Sequence, residues 1–397
     1  NEIYVDIRGA IWAATDSTLF WSANQGTDWS SENVSDYTMG IGTPDGTNVW
    51  AVRQGHDGGI IYYSSDSGNT WMQQVSGGIP GLLDVSLLTD LPQTRYVWTN
   101  SPNPLPPYTS WDTAARLIQE AVDMADPGDS ILVADGIYNV GSVTNYPAGV
   151  GIGARVAVYK PLTVSSVNGP AATTIEGTYD KSGALSVRGV YLVNGASLNG
   201  FTIQFGSTGS DGSEANRYGG GIYADDRASV ERCNISQNTS REGGGGIWLD
   251  QDATLINSFI SGNRAYGGAG VAFYTGGVMR NCTIIFDSAE GYGGGVWHGN
   301  GSTRNCIIYY NEAPDGADNH KMSGDIEVNY CLTTPGVTGT GNITNAEPLL
   351  AAKHIPNILP ASPARDAGDA SVIGYSELDF DREPRLQDGW VDIGCDE

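Results

Sequence analysis

The side chains with the clearest chemical potential are two arginines and a pair of neighbouring aspartates. Arg280 and Arg304 occupy equivalent positions in two copies of an internal repeat, so they would form a small basic stripe. Asp225 and Asp226 are adjacent carboxylates, a residue type that serves in general acid–base catalysis. Duplication of one template also explains the arginines, and a turn with two solvated acids also explains the aspartates. We therefore predict no catalytic residue.

Metal ligation is the second chemistry to consider, and residue spacing argues against zinc. The five cysteines form no CxxC pair, and buried cysteines usually act as small apolar residues. A disulfide, metal binding or redox chemistry stay open as alternatives for them. We predict no cofactor and leave metal ligands unassigned, with Ca²⁺ as the alternative that an acidic chain permits. Four histidines show no metal-ligand spacing: His56, His298, His320 and His354.

The composition indicates an acidic protein made of short strands and turns. Its 397 residues include 55 glycines, and each interior glycine costs a helix about 1 kcal/mol relative to alanine. A formal net charge of −25 argues against nucleic acid or anionic lipid as partners, because both bind basic surfaces. No stretch reaches the roughly 20 apolar residues that span a membrane. The chain starts at Asn1 without a hydrophobic leader, so we expect a processed protein that is secreted or lies at the cell surface.

Four repeats of 24 or 25 residues decide the fold. A period in this range marks one supersecondary unit per repeat. Short apolar alternations separated by Gly and Asn indicate strands joined by turns. The repeats therefore predict the stacked coils of a right-handed parallel β-helix, with the Asn/Asp column at a left-handed turn position. The equivalent residues should form four columns: Ile222, Ile247, Val271 and Val296; Cys233, Ser258, Cys282 and Cys306; Ile235, Ile260, Ile284 and Ile308; and Asn238, Asn263, Asp287 and Asn311.

Three segments are expected along the chain. Residues 1–95 should form a small antiparallel β unit. Residues 96–350 should form the β-helix, which starts with an amphipathic helix at 111–125 that covers the open end of the coil. Residues 351–397 are rich in Pro, Asp and Gly and predict an irregular C-terminal wrap.

Two segments carry a resemblance to a known family. PPYTSWDTAARLIQEAVDMADPGDSILVADGIY at 106–138 and SPARDAGDA at 362–370 resemble the entry cap and C-terminal portion of bacterial secreted right-handed β-helix proteins of the pectate-lyase-like superfamily. The resemblance implies an extracellular β-helix. Lyases of that superfamily use Lys or Arg as a base, with clustered carboxylates and Ca²⁺. The pair Asp225-Asp226 resembles that of polygalacturonase-type hydrolases, but their Gly-His-Gly motif is only partly matched, by Trp297-His298-Gly299.

The first hundred residues carry a different motif. SSDSGNTW at 64–71 resembles the Asp-box hairpin of sialidase-type β-propellers, with Ser64, Asp66, Gly68 and Trp71 at the motif positions. SANQGTDW at 22–29 is a weaker copy, so two blade-like repeats are expected. An Asp-box is a structural turn and not a catalytic site. Two blades cannot close a propeller, so their edges must pack against something else.

Glycosylation is a low-specificity expectation. Alternation along the strands would turn Asn234 and Asn281 outward. Six Asn-x-Ser/Thr sequons occur, at Asn33, Asn234, Asn238, Asn281, Asn300 and Asn342.

A stackable coil without a catalytic constellation favours a non-enzymatic extracellular structural or adhesive protein. Its open ends would allow self-assembly head to tail into filaments, against the simpler alternative of a monomer. Two further alternatives are a polysaccharide lyase or glycoside hydrolase that acts on acidic polysaccharide, and a carbohydrate-binding module. The latter would use exposed aromatic side chains stacked on one column, namely Tyr223, Trp248 and Trp297.

Overall fold

The computed structural model divides the chain into two compact units, Asn1–Leu91 and Pro92–Glu397. In the larger unit, the structure describes residues 92–146, 151–180, 185–209, 214–316, 319–344, 346–352 and 355–396. In the smaller unit, it describes eight strands together with Asp28, Ser65 and Thr70. No helix among these described residues is long and apolar enough to cross a membrane.

The smaller unit contains two four-stranded antiparallel sheets. Within each sheet, strands that follow one another in the sequence are paired, as in a propeller blade. This confirms the predicted antiparallel unit. The strands are β1 (Glu2–Val5), β2 (Ile11–Ala14), β3 (Thr18–Ser22) and β4 (Ser30–Asn33), then β5 (Tyr37–Gly42), β6 (Val49–Gly55), β7 (Gly58–Ser64) and β8 (Met72–Ile79).

The sequence 64–71, which resembles an Asp-box, connects β7 to β8, and these two strands pair as an antiparallel hairpin with Tyr63 opposite Met72. Ser64 ends β7 and is buried. Asp66, Gly68 and Trp71 lie outside the described residues.

The larger unit is a right-handed parallel β-helix, as the repeats predict. Sheet A contains β9 (Thr94–Val97), β10 (Ser130–Val133), β13 (Thr163–Ser166), β16 (Ser197–Asn199), β19 (Ser229–Glu231), β22 (Thr254–Ile256), β26 (Val278–Arg280), β30 (Gly301–Arg304) and β33 (Ile326–Asn329). Sheet B contains β11 (Gly136–Tyr138), β14 (Thr173–Glu176), β17 (Thr202–Gln204), β20 (Asn234–Ser236), β23 (Phe259–Ser261), β27 (Thr283–Ile285), β31 (Ile307–Tyr309), β34 (Leu332–Thr333) and β35 (Ile343–Thr344).

Sheet C contains β12 (Gly153–Val158), β15 (Val187–Leu192), β18 (Ile222–Ala224), β21 (Ile247–Leu249), β25 (Val271–Phe273), β29 (Val296–His298) and β32 (His320–Met322). Two short strands, β24 (Arg264–Gly267) and β28 (Ser288–Tyr292), pair outside these sheets. Each strand pairs in parallel with its equivalent on the next coil. Ile235, Ile260, Ile284 and Ile308 stack in register inside sheet B, which confirms the predicted column.

The capping helix is shorter than predicted. A 3₁₀ turn spans Trp111–Thr113, and the α-helix, α1, spans only Ile118–Met124. The reason is a β-bridge, because the N–H of Ala115 donates to the carbonyl of Tyr96 in β9 and Trp98 donates back to Ala115. Helix α1 still buries its apolar face against β9, β10 and β12, so it covers the first coil.

The Asn/Asp column forms a buried amide ladder and not a left-handed turn. The N–H of Asn238 donates to Oδ1 of Asn263 at 2.9 Å, and the N–H of Asn263 donates to Oδ1 of Asp287 at 2.7 Å. The next rung joins the N–H of Asp287 to Asn311. Positive φ occurs one residue earlier in each coil, which turns the chain and leaves the ladder side chain inside. These earlier residues are Gln237, Gly262, Phe286 and Tyr310.

The ladder also explains the glycine-rich turns of the repeat. A Cβ on Gly246 would lie 3.0 Å from Nδ2 of Asn263 and 2.6 Å from the carbonyl oxygen of Gly270. A Cβ on Gly221 would lie 2.7 Å from Nδ2 of Asn238. The glycines therefore leave room for a buried polar group that must keep its hydrogen bonds.

Residues 355–396, called the tail below, contain no strand among the residues that the structure describes; a single 3₁₀ turn spans Ala370–Val372. The tail packs against the outer face of sheet B. Ala364 and Ile393 contact Ile307 and Leu332, while Cys395 contacts the neighbouring coils. The tail therefore buries apolar side chains that an open sheet face would expose.

Candidate functional site

The two arginines of the predicted basic stripe form ion pairs with carboxylates of the tail. Nη1 of Arg280 lies 2.5 Å from Oε1 of Glu377, and Nη1 of Arg304 lies 2.7 Å from Oδ2 of Asp369. Burial alone would raise the pKa of Glu377, but the hydrogen bond and charge of Arg280 hold that pKa below its usual value. These arginines therefore hold the tail on the coil and offer no free base.

The aspartate pair lies in a tight turn after β18. Asp226 and Arg227 both have positive φ, and their side chains form an exposed ion pair. The N–H of Asp226 donates to Oδ1 of Asp225 at 2.7 Å. Burial, together with the nearby charge of Asp250, raises the pKa of Asp225. The turn accounts for both carboxylates without an acid–base role.

His298 lies inside the coil and its ring stacks on Phe273 with centroids 5.4 Å apart. Neither ring nitrogen has a hydrogen-bond partner among the described residues. Burial, aided by His320, lowers the pKa of His298 to about 3. The imidazole is therefore neutral and structural. His320 donates one hydrogen bond from Nε2 to the carbonyl of Pro335, and His56 and His354 lie outside the described residues.

We expect His298→Phe to raise the free energy of unfolding by about 1–3 kcal/mol, because it removes buried polar atoms that lack partners. The gain should grow as pH falls from about 6.5 towards 3. In that window the unfolded histidine binds a proton that the folded one excludes, so acidification destabilises the wild type. Urea unfolding across this range measures the effect. A variant less stable than wild type at every pH would show that the imidazole has a partner after all.

Two of the six sequon asparagines are fully buried, namely Asn238 in the ladder and Asn281 under the tail. Asn281 points outward from the coil, as predicted, but Glu377 of the tail covers it and accepts a hydrogen bond from its Nδ2 at 3.0 Å. Glycosylation itself stays a prediction. Of the others, Asn300 is exposed, Asn234 and Asn342 are half-buried, and the side chain of Asn33 lies outside the described residues.

All five cysteines are buried and free. Four of them, with Ser258, form the predicted column inside the coil, and Cys395 lies under the tail. Burial raises the pKa of Cys233 to about 12. A neutral, buried thiol is unreactive, so the column acts as small apolar packing.

The aromatic column on sheet C is less exposed than a carbohydrate platform requires. Trp248 is 4% exposed, because Tyr218 lies over it with ring centroids 4.1 Å apart. Tyr223 lies over the buried guanidinium of Arg188 at 5.1 Å. Tyr223 and Trp297 are both half-buried and keep a partly open face. The expectation of an exposed stack is therefore wrong for Trp248.

A groove of about 820 Å³ lies instead at the corner that follows sheet B. Its walls come from turns of successive coils, so the groove crosses several repeats. Arg241 and Arg264 are exposed in it, and neither forms an ion pair within the described part of the chain. Side chains that line the groove include Tyr179, Phe205, Gln237, Thr239, Tyr266 and Glu290.

Packing behind the groove fixes its polar and aromatic groups. The ring of Tyr266 is 48% exposed and rests edge-on against Tyr292, with centroids 5.6 Å apart. The hydroxyl of Thr208 accepts the N–H of Arg241 at 2.8 Å. Glu242 is paired with Arg217 at 3.1 Å and so is neutralised. What remains is an aromatic face beside two exposed guanidinium groups that form no ion pair with any described residue, a combination that suits anionic, ring-shaped ligands.

One carboxylate cluster could hold a metal ion among the described residues. Carboxylate oxygens of Asp379, Asp381 and Asp396 lie within 4.8 Å of one another. Burial and the charges of Asp381 and Asp379 raise the pKa of Asp396 to about 7. Oxygen donors suit Ca²⁺, and the cluster is the place in the tail where that cation would bind.

Comparisons with known proteins give one structural likeness. No protein-family model matches the chain. No curated protein sequence matches it. A solved structure described as "Crystal structure of pectate lyase Pel9A" aligns with a TM-score of 0.42 and 13% identity, over 78% of this chain and 97% of that chain. A likeness of this extent does not identify a function.

The groove residues escaped prediction from sequence because they lie between the regular columns. Arg241 and Arg264 follow Asn238 and Asn263 and precede the glycine turns, in segments that differ from one repeat to the next. The sequence signal that could have found them is the appearance of arginine in segments whose residues otherwise vary from repeat to repeat. Parallel bridges such as that of Thr239 with Arg264 place these segments on one face of the coil.

Proposed function

We propose that this protein is an extracellular β-helix that binds acidic polysaccharide in the groove after sheet B. The carrying observation is the pair Arg241 and Arg264, which are exposed beside Tyr266 without an ion-pair partner within the described residues. On a chain of net charge −25, two exposed arginines in one groove are a local exception. A uronate chain offers carboxylates for the guanidinium groups and pyranose faces for the aromatic ring.

The groove geometry supports an extended ligand. Its walls come from turns of five successive coils, and neighbouring parallel strands lie about 4.8 Å apart. A linear glycan laid across these turns contacts a new coil at each step. Cleavage of such a chain is a second candidate, favoured by the arginines, since a lyase or hydrolase needs the same binding groove. Secretion and head-to-tail self-assembly stay predictions.

We expect Arg264→Ala and Arg241→Ala each to weaken binding of an oligogalacturonate or oligoalginate about tenfold, equivalent to about 1.4 kcal/mol. Binding should also weaken with added salt, because charge pairing in an open groove is screened. Isothermal titration calorimetry measures both effects, with a neutral cello-oligosaccharide as the ligand control. Release of unsaturated products during the titration would reveal a lyase.

Matched variants outside the groove test the assignment. Arg227→Ala removes an exposed arginine, and Tyr274→Ala removes a ring that is as exposed as Tyr266. Both should leave affinity unchanged. If all four variants bind like the wild type, or if none of the acidic oligosaccharides binds, the proposal is wrong.

A further inference from the structure

A second cavity lies in the tail and has the opposite charge. Its volume is about 580 Å³, within the range of small-molecule sites. We call it the tail cavity. Its walls include Asn357, Leu359, Arg365, Asp366, Asp388 and Trp390.

The indole of Trp390 is presented on a rigid turn. Gln387 and Trp390 exchange two backbone hydrogen bonds, of 3.1 and 2.9 Å. Asp388 and Gly389 between them both have positive φ, the signature of a type I′ hairpin. The indole is 61% exposed although its backbone is fixed. An exposed aromatic side chain on a fixed turn is preorganised for a ligand, because little entropy is lost on binding.

Charge in the tail cavity selects a cation. Four aspartates line it against the guanidinium of Arg365 among the described residues, namely Asp366, Asp388, Asp392 and Asp396. The Arg365–Asp366 pair is weak, at 3.8 Å between half-exposed groups. Carboxylates beside an indole face attract an ammonium group through charge and through the π system of the ring.

We propose that the tail cavity binds a sugar that carries a free ammonium group. The amides of Asn357 and Gln387 supply neutral donors and acceptors for hydroxyl groups, and the flat indole matches a pyranose face. The cavity is separate in sequence and in charge from the arginine groove. The inference therefore does not depend on the function proposed above.

Calorimetric titration with a glucosamine tetramer tests this inference on the full chain. We expect binding that Trp390→Ala weakens roughly tenfold and Trp390→Phe weakens less, because phenylalanine keeps an aromatic face. Asp388→Asn should also weaken it. Tyr375→Ala removes a fully exposed ring of the tail outside the cavity and should change nothing. Arg264→Ala in the groove should change nothing either.

Three outcomes would overturn the inference. Binding of the N-acetylated tetramer as tightly as the free amine would mean that charge is not recognised. A lysine oligomer that binds as tightly would point to peptides as the ligand. Equal binding by the wild type and Trp390→Ala, with both shown to be folded by circular dichroism, would place the site elsewhere.

Discussion

Replacing Asp287 by asparagine is expected to raise the free energy of unfolding by about 1–3 kcal/mol at neutral pH. Asp287 is the one acid in a ladder of asparagines. Its Oδ1 accepts two hydrogen bonds from Asn263, at 2.7 and 2.9 Å, but its buried Oδ2 has no partner among the described residues. In the next rung, Nδ2 of Asn311 donates to the carbonyl of Ile284 at 3.1 Å. In Asp287→Asn, an Nδ2 donor replaces the unpartnered Oδ2, as in the neighbouring asparagines of the ladder.

The gain should depend on pH in a defined direction. Burial raises the pKa of Asp287 well above its ordinary value, so the folded protein favours the protonated form. Wild-type stability is fully present below the unfolded pKa of about 3.9 and is lost as pH rises through the folded value. The advantage of Asp287→Asn should therefore be small in acid and largest at alkaline pH. Urea unfolding at several pH values measures it.

The reciprocal exchange is the control. Asn263→Asp places a second carboxylate directly against Asp287 and removes the Nδ2 donor that now serves the carbonyl of Ile235. We expect a loss of about 3–5 kcal/mol at neutral pH, as for an uncompensated buried charge. If Asp287→Asn destabilises the protein at every pH, the carboxylate must have a role that the ladder geometry does not show.

The second large effect concerns Glu377, whose hydrogen bonds hold the tail on the coil. Glu377→Ala should cost about 3 kcal/mol, because it leaves the guanidinium of Arg280 and the amides of Asn257 and Asn281 without their shared acceptor. The figure is taken from the low end of the range for buried pairs, since Arg280 is 22% exposed. We expect the tail to open locally before the coil unfolds. Hydrogen exchange of the tail amides, compared with the ladder amides, measures this difference.

Lowering the pH should have the same effect as Glu377→Ala, because it protonates the carboxylate. The pKa of Glu377 is lowered in the folded protein, so its stabilisation is present above its unfolded pKa and is lost as pH falls through the folded value. Asp366→Ala removes an exposed, weakly paired carboxylate of the same tail and should leave exchange unchanged. Equal exchange in Glu377→Ala and wild type would show that the apolar contacts alone hold the tail.

The sequence predicts the columns that repeat from coil to coil, but it does not predict the contacts that the tail makes with the coil. Ile235 and its equivalents are predictable because strand register is set by a buried apolar pattern. The role of Arg280 was not predictable, since its partner Glu377 lies 97 residues away in a segment without periodicity. The cap at 111–125 was overextended because an apolar period of a helix does not reveal the competing β-bridge at Ala115. The groove could not be predicted for a related reason, because Arg241 and Arg264 come to line one groove only when successive coils stack.

The segments between the amide ladder and the glycine turns differ in length, from residues 207–218 in one coil to 264–267 in another. Neither the ladder bonds nor the interior columns pass through them. Substitutions at exposed positions there, such as Arg241, therefore leave the ladder and the interior columns intact, so a coil can change its outer surface while its core stays the same. A protein of this construction can change what it recognises one repeat at a time, and natural variation should concentrate in those segments while Asn238, Asn263 and Gly246 stay fixed.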